Sequence, residues 1–369
     1  MFKQLRITYL LESTELWGGV KVVLEQSELL SKAGHHVNLL SKDSGPTWYS
    51  CKVPIIQVSD FNEATIPASD IIVGTYWTTV RDAFSCNRGI LVHLCQGYEG
   101  DYLELSHLKK DIEEVYSYTI PKITISKHLD NFLQQRFNSE TYYVGQMLNK
   151  NIFFPNNKTN FLHAINFFGY RPLKIIVVGP FQVDFKNIST AIRGIVFFEK
   201  KFKRHIKVIR VSQFPLTQEE KEIRNPDKYL FHIPHYEMGN IYRESDIFIS
   251  MSKEAEGFGL PALEAMACGI PTILSKISSY TSFDKIQDYS LFVDPFDHEV
   301  AARAIYEIYS DKSLRERLIA RGLDVVSHFS SEALLKRLED AFEKIIYKYK
   351  TKSLFNNQSE LNAFVKHIL

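Results

Sequence analysis

Short apolar runs of strand length alternate with helical stretches along almost the whole chain, and that alternation leaves few architectures open. "LRITYLL" (5–11) precedes "VKVVLEQSELLSKAG" (20–34), whose Val20, Val23, Leu24, Leu29 and Leu30 recur at helical spacing before Gly34 stops the helix. "HHVNLLSK" (35–42), "DIIVGT" (70–75), "GILVHLC" (89–95) and "KITIS" (122–126) read as further strands, each followed by turn or helix residues. After the Asn-rich stretch "NKNIFFPNNKTN" (149–160) the pattern restarts with "LKIIVVGP" (173–180) and the helix "ISTAIRGIVFFEKKF". "HIKVIRVS" (205–212), "KYLFHIP" (228–234), "DIFISMS" (246–252) and "PTILSK" (271–276) continue it. Strand, loop and helix in repetition predict a parallel sheet with helices on both faces. Two such series in 369 residues predict an α/β chain of two doubly wound domains facing each other across a cleft. Ligands of such sheets sit beyond the carboxyl ends of the strands, which places any chemistry in that cleft.

Composition removes several classes of function. Hydrophobic residues make up 45% and charged residues 24%, which describes a soluble globular protein. Lys plus Arg (44) and Asp plus Glu (43) nearly cancel, so nothing electrostatic calls for a nucleic-acid partner. A membrane-surface contact stays open, because a local patch can hide inside a neutral total. Cys51, Cys86, Cys95 and Cys268 show neither CxxC nor CxxH spacing and read as reduced thiols. The N-terminal "MFKQLRITYLLEST" is too short and interrupted for a signal peptide, and no run of about 18 apolar residues occurs. The expected location is cytoplasmic, at most peripheral to a membrane. No Asp-x-Asp pair follows an apolar strand and no His/Cys cluster has metal spacing, so no metal is expected.

The most ordered stretch is "EAEGFGLPALEAMACGIPT" (254–272). Pro261 suits the first position of a helix that Gly269 and Pro271 end. The amides of Phe258, Gly259 and Leu260 then precede the helix without intrahelical acceptors and make a site for an anion or a sugar oxygen. Gly257 and Gly259 let a ligand approach the backbone closely. Glu264, read in the first turn, and Glu256, entering from the loop, are acceptor-only groups suited to sugar or ribose hydroxyls. The plainer reading of each glutamate alone is a solvated loop residue and a partner of the helix dipole.

"SKEAEGFGLPALEAMACGIPTI" closely resembles the E-x7-E motif region of retaining GT-B glycosyltransferases, the group 1 (family 4) type. The resemblance implies a GT-B fold of two Rossmann-like domains, with Glu264 on the donor ribose and Glu256 on the donor-sugar hydroxyls. It places the Phe258–Leu260 amides around sugar and diphosphate. "LWGGVKVVLEQSELLSKAGHHV" resembles the opening Gly-Gly loop and first helix, where Gly18 and Gly19 would approach donor phosphate or acceptor. "VVGPFQVDFKNISTAI" resembles the strand and loop that carry an Arg and a Lys on the diphosphate. Lys186 matches, but Pro180 stands where Arg is common, so Arg210 is the candidate substitute, against the plainer reading of a surface ion pair. In "ILVHLCQGYEGDY" the alignment puts Gln96 where relatives often have a histidine, and His93 three residues earlier reads as packed core. Trp77, in "GTYWTT", reads as core packing before a sugar platform.

The expected domains are 1–160 on the acceptor side and 161–346 for the nucleotide sugar, with 347–369 crossing back to the first. "ELNAFVKHIL" (360–369) would supply the apolar contacts of that crossing. The expected function is retaining, metal-independent transfer from a nucleoside-diphosphate sugar to a glycan or lipid-linked acceptor, in bacterial surface polysaccharide synthesis. Glu256, Lys186 and Gln96 are the catalytic candidates, and the nucleotide sugar is a co-substrate with no further cofactor. Two alternatives stand beside it: a sugar-nucleotide epimerase on the same architecture, and a non-catalytic nucleotide-sugar or glycan binder.

Overall fold

A computed structural model describes residues 3–155 and 172–368, with side chains as far as Thr351. The first sheet has the order β3-β2-β1-β4-β5-β6-β7. Its strands are β1 (Arg6–Leu11), β2 (His36–Ser41), β3 (Ile55–Gln57), β4 (Ile71–Gly74), β5 (Ile90–Cys95), β6 (Lys122–Thr124) and β7 (Thr141–Tyr143). The second sheet, β10-β9-β8-β11-β12-β13, comprises β8 (Leu173–Val178), β9 (Ile206–Ser212), β10 (Lys228–Phe231), β11 (Ile247–Ser250), β12 (Thr272–Ser275) and β13 (Leu291–Val293). Every strand pairing among the described residues is parallel. Central strands such as β4, β11 and β12 are buried along their whole length, which is why they read as unbroken apolar runs.

In the first half the helices are α1 (Gly18–Lys32), α2 (Trp77–Ala83), α3 (Lys109–Tyr116) and α4 (Lys127–Phe137). The second half adds α5 (Ile188–Phe202), α6 (Gln218–Ile223), α7 (His235–Arg243), α8 (Leu260–Ala267), α9 (Ser278–Thr281), α10 (His298–Ser310) and α11 (Lys312–Ser327). The long α12 (Ser331–Ile368) closes the chain. In each sheet the strand order reverses beside the first strand, between β1 and β4 and between β8 and β11. Those switch points open crevices at the carboxyl ends, and the two crevices face each other.

One apolar cluster joins the halves: Ile7 and Val73 of the first sheet, Leu148 and Phe153 of the connecting chain, and Met266 and Phe342 of the second half all belong to it. An apolar stripe of α12 is buried at Leu334, Leu338, Phe342 and Ile345. Contacts from α12 to the first sheet begin well before Tyr347. The Arg337 guanidinium donates to the Val144 carbonyl and lies 5.7 Å from the Tyr143 ring centre, and Glu339 stands 3.2 Å from the His35 ring nitrogen. Lys348 then pairs with Glu140 at 2.7 Å. The 160/161 boundary lies outside the described residues, as do the side chains of "ELNAFVKHIL".

Arg337→Ala removes a charged donor from a backbone carbonyl and is expected to lower unfolding stability by about 1.5–3 kcal/mol. Denaturant melting checks this, and an unchanged midpoint would mean that the apolar stripe alone fastens α12.

Candidate active site

The loops at the second switch point carry the motif carboxylate nearer the strand ends. Glu256, after β11, accepts from the Lys186 ammonium at 2.7 Å and from the Ser252 hydroxyl at 3.0 Å. Lys186 ends a one-turn helix after β8 and is followed by Asn187 at φ 48°, in the left-handed region that Asn tolerates. The Asn187 amide donates to the Met251 and Pro295 carbonyls at 2.8 and 2.7 Å, so it ties the Lys186 loop to the ends of β11 and β13. The Tyr280 hydroxyl, 2.7 Å from Ser250 and 3.2 Å from Ser252, braces the floor of the same loop.

Helix α8 starts at Leu260 from Gly259, whose φ of 90° suits glycine, and Pro261 follows in its first turn. The helix thus begins one residue earlier than Pro261, and Glu264 lies beyond the first turn. Among the described residues none accepts from the amides of Phe258, Gly259 and Leu260. The Phe258 side chain itself is core, packed on Phe283 and Phe329 at ring distances of 5.3 and 5.8 Å.

The first domain reaches this loop at backbone distance. A Cβ added at Gly257 would stand 1.9 Å from the Gln96 carbonyl oxygen. Ser126, preceding α4, donates its hydroxyl to the Gly257 carbonyl at 3.1 Å. The Gln96 amide in turn donates to the Gly19 carbonyl at 3.1 Å, while its own oxygen is buried without a partner. Gln96, Gly19 and the Glu256 loop therefore converge. His128, in the first turn of α4, has a buried, unpartnered Nδ1, and burial pushes its ring down to about 4 against the pull of the Glu256 carboxylate. Glu99 meets the Tyr116 hydroxyl, and burial raises its carboxyl to about 7.

The second motif carboxylate is engaged from both domains. Glu264 accepts from the Tyr242 hydroxyl at 3.0 Å and from the Lys21 ammonium of α1 at 2.9 Å. Lys21 is only 8% exposed. Burial alone would push it down, but the Glu25 and Glu264 carboxylates more than offset that and hold it above the ordinary lysine range. Burial likewise opposes ionisation of Glu264, and Lys21 above all brings its carboxyl below the usual value. Glu25, 3.9 Å from Lys21, is pushed up to about 7 by burial. His235 lies 3.8 Å from Glu25, but burial and Lys21 bring its ring down to about 3, so it is neutral near pH 7. At the rim, Trp17 meets Phe214 edge-on at 5.7 Å, Tyr102 stacks on Phe185 at 5.0 Å, and the Asp184 amide donates to Glu104 at 2.9 Å.

Arg210 does not reach the cleft, which corrects the candidate for the diphosphate clamp. It lies inside β9 with a fully buried guanidinium whose five donors are all engaged. Nε meets Glu220 at 2.5 Å, Nη1 the Val177 and Val211 carbonyls, and Nη2 the Gly179 carbonyl and Glu220 again. Arg210 is ion-paired, but the pair with Glu220 is buried and not at the surface as the plainer reading expected. His93 is likewise core, 4.8 Å from the Tyr116 ring and held near pKa 3 by burial and then Lys122, so it is no base for the cleft. Trp77 is buried in α2 under the Arg81 guanidinium. Sequence reasoning missed Lys21 and Ser126. Lys21 left one trace, a lysine among Val20, Val22 and Val23 in the first turn of α1, two residues after the Gly-Gly pair.

Residues 211–324 match the family model "Glycosyl transferases group 1". The chain carries a group 1 glycosyltransferase domain. Its sequence is 34% identical over 116 residues to O-antigen chain mannosyltransferase B of Escherichia coli, covering 31% of this chain and 30% of that protein. Over 90 residues it is 39% identical to the lipopolysaccharide core biosynthesis glycosyltransferase LpsE of Rhizobium meliloti, covering 24% of this chain and 26% of that one. The aligned stretches thus span under a third of either relative. Solved structures extend the likeness to nearly the whole chain. Sucrose-phosphate synthase from Thermosynechococcus elongatus gives a TM-score of 0.74 at 18% identity, covering 94% of this chain and all of that one. HepE from Anabaena, in complex with UDP-glucose, gives 0.75 at 12% identity, covering 92% and 100%. The fold is GT-B.

Two outcomes test this geometry. Gly257→Ala places a methyl 1.9 Å from the Gln96 oxygen where ordinary contact begins at 3.4 Å, so the GT-B domains must part there by about 1.5 Å. Faster hydrogen exchange at residues 96–99 and 126–129 is expected; unchanged protection would mean that the loop absorbs the methyl. Arg210→Ala strands buried Glu220 and is expected to destabilise the group 1 domain by about 3–5 kcal/mol in chemical denaturation. A variant of normal stability with weakened diphosphate binding would return Arg210 to the site.

Proposed function

We propose that the chain is a retaining glycosyltransferase that moves a sugar from a nucleoside-diphosphate donor to a glycan or lipid-linked acceptor without a metal ion. The observation that carries this reading is Lys186 on Glu256 at the second switch point, opposite Gln96 and the Gly18–Gly19 start of α1 in the first domain. In this reading Glu264 holds the ribose, Glu256 the donor-sugar hydroxyls, and the Phe258–Leu260 amides surround sugar and diphosphate. The Gly257–Gln96 contact must open to admit the donor, and closure afterwards excludes water from a substrate that could be hydrolysed.

In the transfer step the bond between the anomeric carbon and the diphosphate oxygen breaks, leaving its electron pair on that oxygen. The acceptor oxygen bonds to the same carbon from the same face, and its proton passes to the departing phosphate. Lys186 and the helix-end amides stabilise the charge that develops there. The Gln96 amide cannot take a proton near neutral pH, so it serves to position groups on the acceptor side. The names of the E. coli and R. meliloti relatives support a bacterial surface glycan as the product. Among the described residues no helix is long and apolar enough to cross a membrane, and the proposed site of action is the cytoplasm or its membrane face.

One observation favours a second reading, a non-catalytic nucleotide-sugar binder: Pro180 and Gln96 stand where the resembled family commonly has an arginine and a histidine. Turnover separates the two. Acceptor-dependent release of nucleoside diphosphate is expected and should persist in excess EDTA. Glu256→Gln should lower turnover by roughly 10²–10³, while Glu264→Gln should mainly raise the donor KM. Donor binding without release would decide for the binder, and loss of release in EDTA would overturn metal independence.

A further inference from the structure

Each motif glutamate is met by one lysine, and the two lysines come from opposite domains. Lys186 serves Glu256 from the loop after β8, and Lys21 serves Glu264 from α1 across the cleft. The other cations near the diphosphate loops are engaged elsewhere: Arg210 inside the second sheet, and Lys253 on Asp184 at 2.6 Å. Pro180 supplies no charge at the end of β8. A leaving diphosphate with Lys186 as its only cation would be poorly balanced.

Resting on the donor chemistry proposed above, we propose that Lys21 is the second cation of the diphosphate site, delivered by the first domain when the cleft is closed. The ammonium carries three donors, and Glu264 is the acceptor within hydrogen-bonding distance, since Glu25 lies at 3.9 Å. Two donors therefore remain for phosphate oxygens without breaking the Glu264 contact. A carboxylate offers about four lone-pair positions, so Glu264 can hold Lys21 and Tyr242 and still accept from a ribose hydroxyl. The first turn of α1 is open at Gly18, where a Cβ would meet nothing within 4 Å, and closed at Gly19, where it would stand 3.3 Å from the Gln96 amide nitrogen. Helix α1 also starts there with no side-chain cap and no acidic residue in its first turn, so its amides add to the same positive field.

This arrangement couples charge to closure. With the domains apart, Lys186 faces the diphosphate alone and the donor is poorly activated toward water. With the domains together, the charge set is complete and the acceptor is in place. Lys21 in this role touches the leaving group, unlike a lysine that only fastens Glu264.

Calorimetric titration of the full chain with UDP, GDP, ADP, CDP and dTDP, and with the nucleoside matching the tightest binder, tests the assignment. Lys21→Gln keeps a donor for Glu264 but removes the charge; it should weaken the diphosphate about tenfold or more while leaving the nucleoside within about twofold. Lys21→Arg should restore most of the difference. Equal or tighter diphosphate binding by Lys21→Gln would make Lys21 a latch on Glu264 and overturn the proposal. Parallel loss of nucleoside and diphosphate would assign it a packing role and overturn it equally. Should Lys21→Gln fail to fold, Lys21→Arg decides: an unchanged diphosphate-to-nucleoside preference in the folded variant supports a transferable charge, and its collapse overturns the clamp. A wild-type chain that binds none of the five nucleotides refutes the donor chemistry itself, and the Lys21 proposal with it.

Discussion

A buried lysine of one domain lies on a buried glutamate of the other, and the relative placement of the two sheets depends on it. Taking two charges from water costs several kcal/mol apiece, so the Lys21–Glu264 pair is weak evidence of net stabilisation. It sets a cost on misplacement instead, because any slip of α1 along α8 would leave a buried carboxylate without its cation. The contacts around it obey the same geometry: Ser126 on the Gly257 carbonyl, Gln96 on the Gly19 carbonyl, and a Gly257 that leaves no room for a side chain. Apolar surface brings the domains together. The polar pairs fix where they stop.

The second sheet prepares its half of the cleft differently. There the strain and the charge are managed within one domain, by Asn187 in a left-handed turn and by Arg210 beneath the β8 loop. Arg210 reaches the Gly179 carbonyl from below, so the arginine read as a ligand group instead supports the backbone on which Lys186 is mounted. Its removal from solvent follows from its place in the middle of β9, between β8 and β10, where a side chain points onto a sheet face and cannot extend past the strand end.

Much of this was legible in the residues alone. Buried central strands such as β1, β5, β8 and β11 announced themselves as apolar runs, and the loop and helix that carry Glu256 and Glu264 were readable because glycine, proline and carboxylate spacing constrain one another. The strands β3, β7 and β13 were missed for a shared reason. Each has three residues and lies at a sheet edge, where one flank is unpaired and the sequence needs no continuous apolar run. Arg210 was misjudged because a strand's register decides which way a side chain points, and nothing near it in the sequence marked Glu220 as its partner. Lys21 was missed because its partner lies 243 residues away. Pairing at that range leaves almost no local trace.

The edge-on contact of Trp17 with Phe214 gives the molecule a native optical gauge. The chain has three tryptophans, and Trp48 and Trp77 are buried within the first domain while Trp17 stands 38% exposed at the junction. An indole in that position changes its surroundings when the gap widens or narrows, whereas the other two keep theirs. Emission colour and quenching by dissolved iodide would then follow the hinge in real time, with no dye attached and no residue replaced.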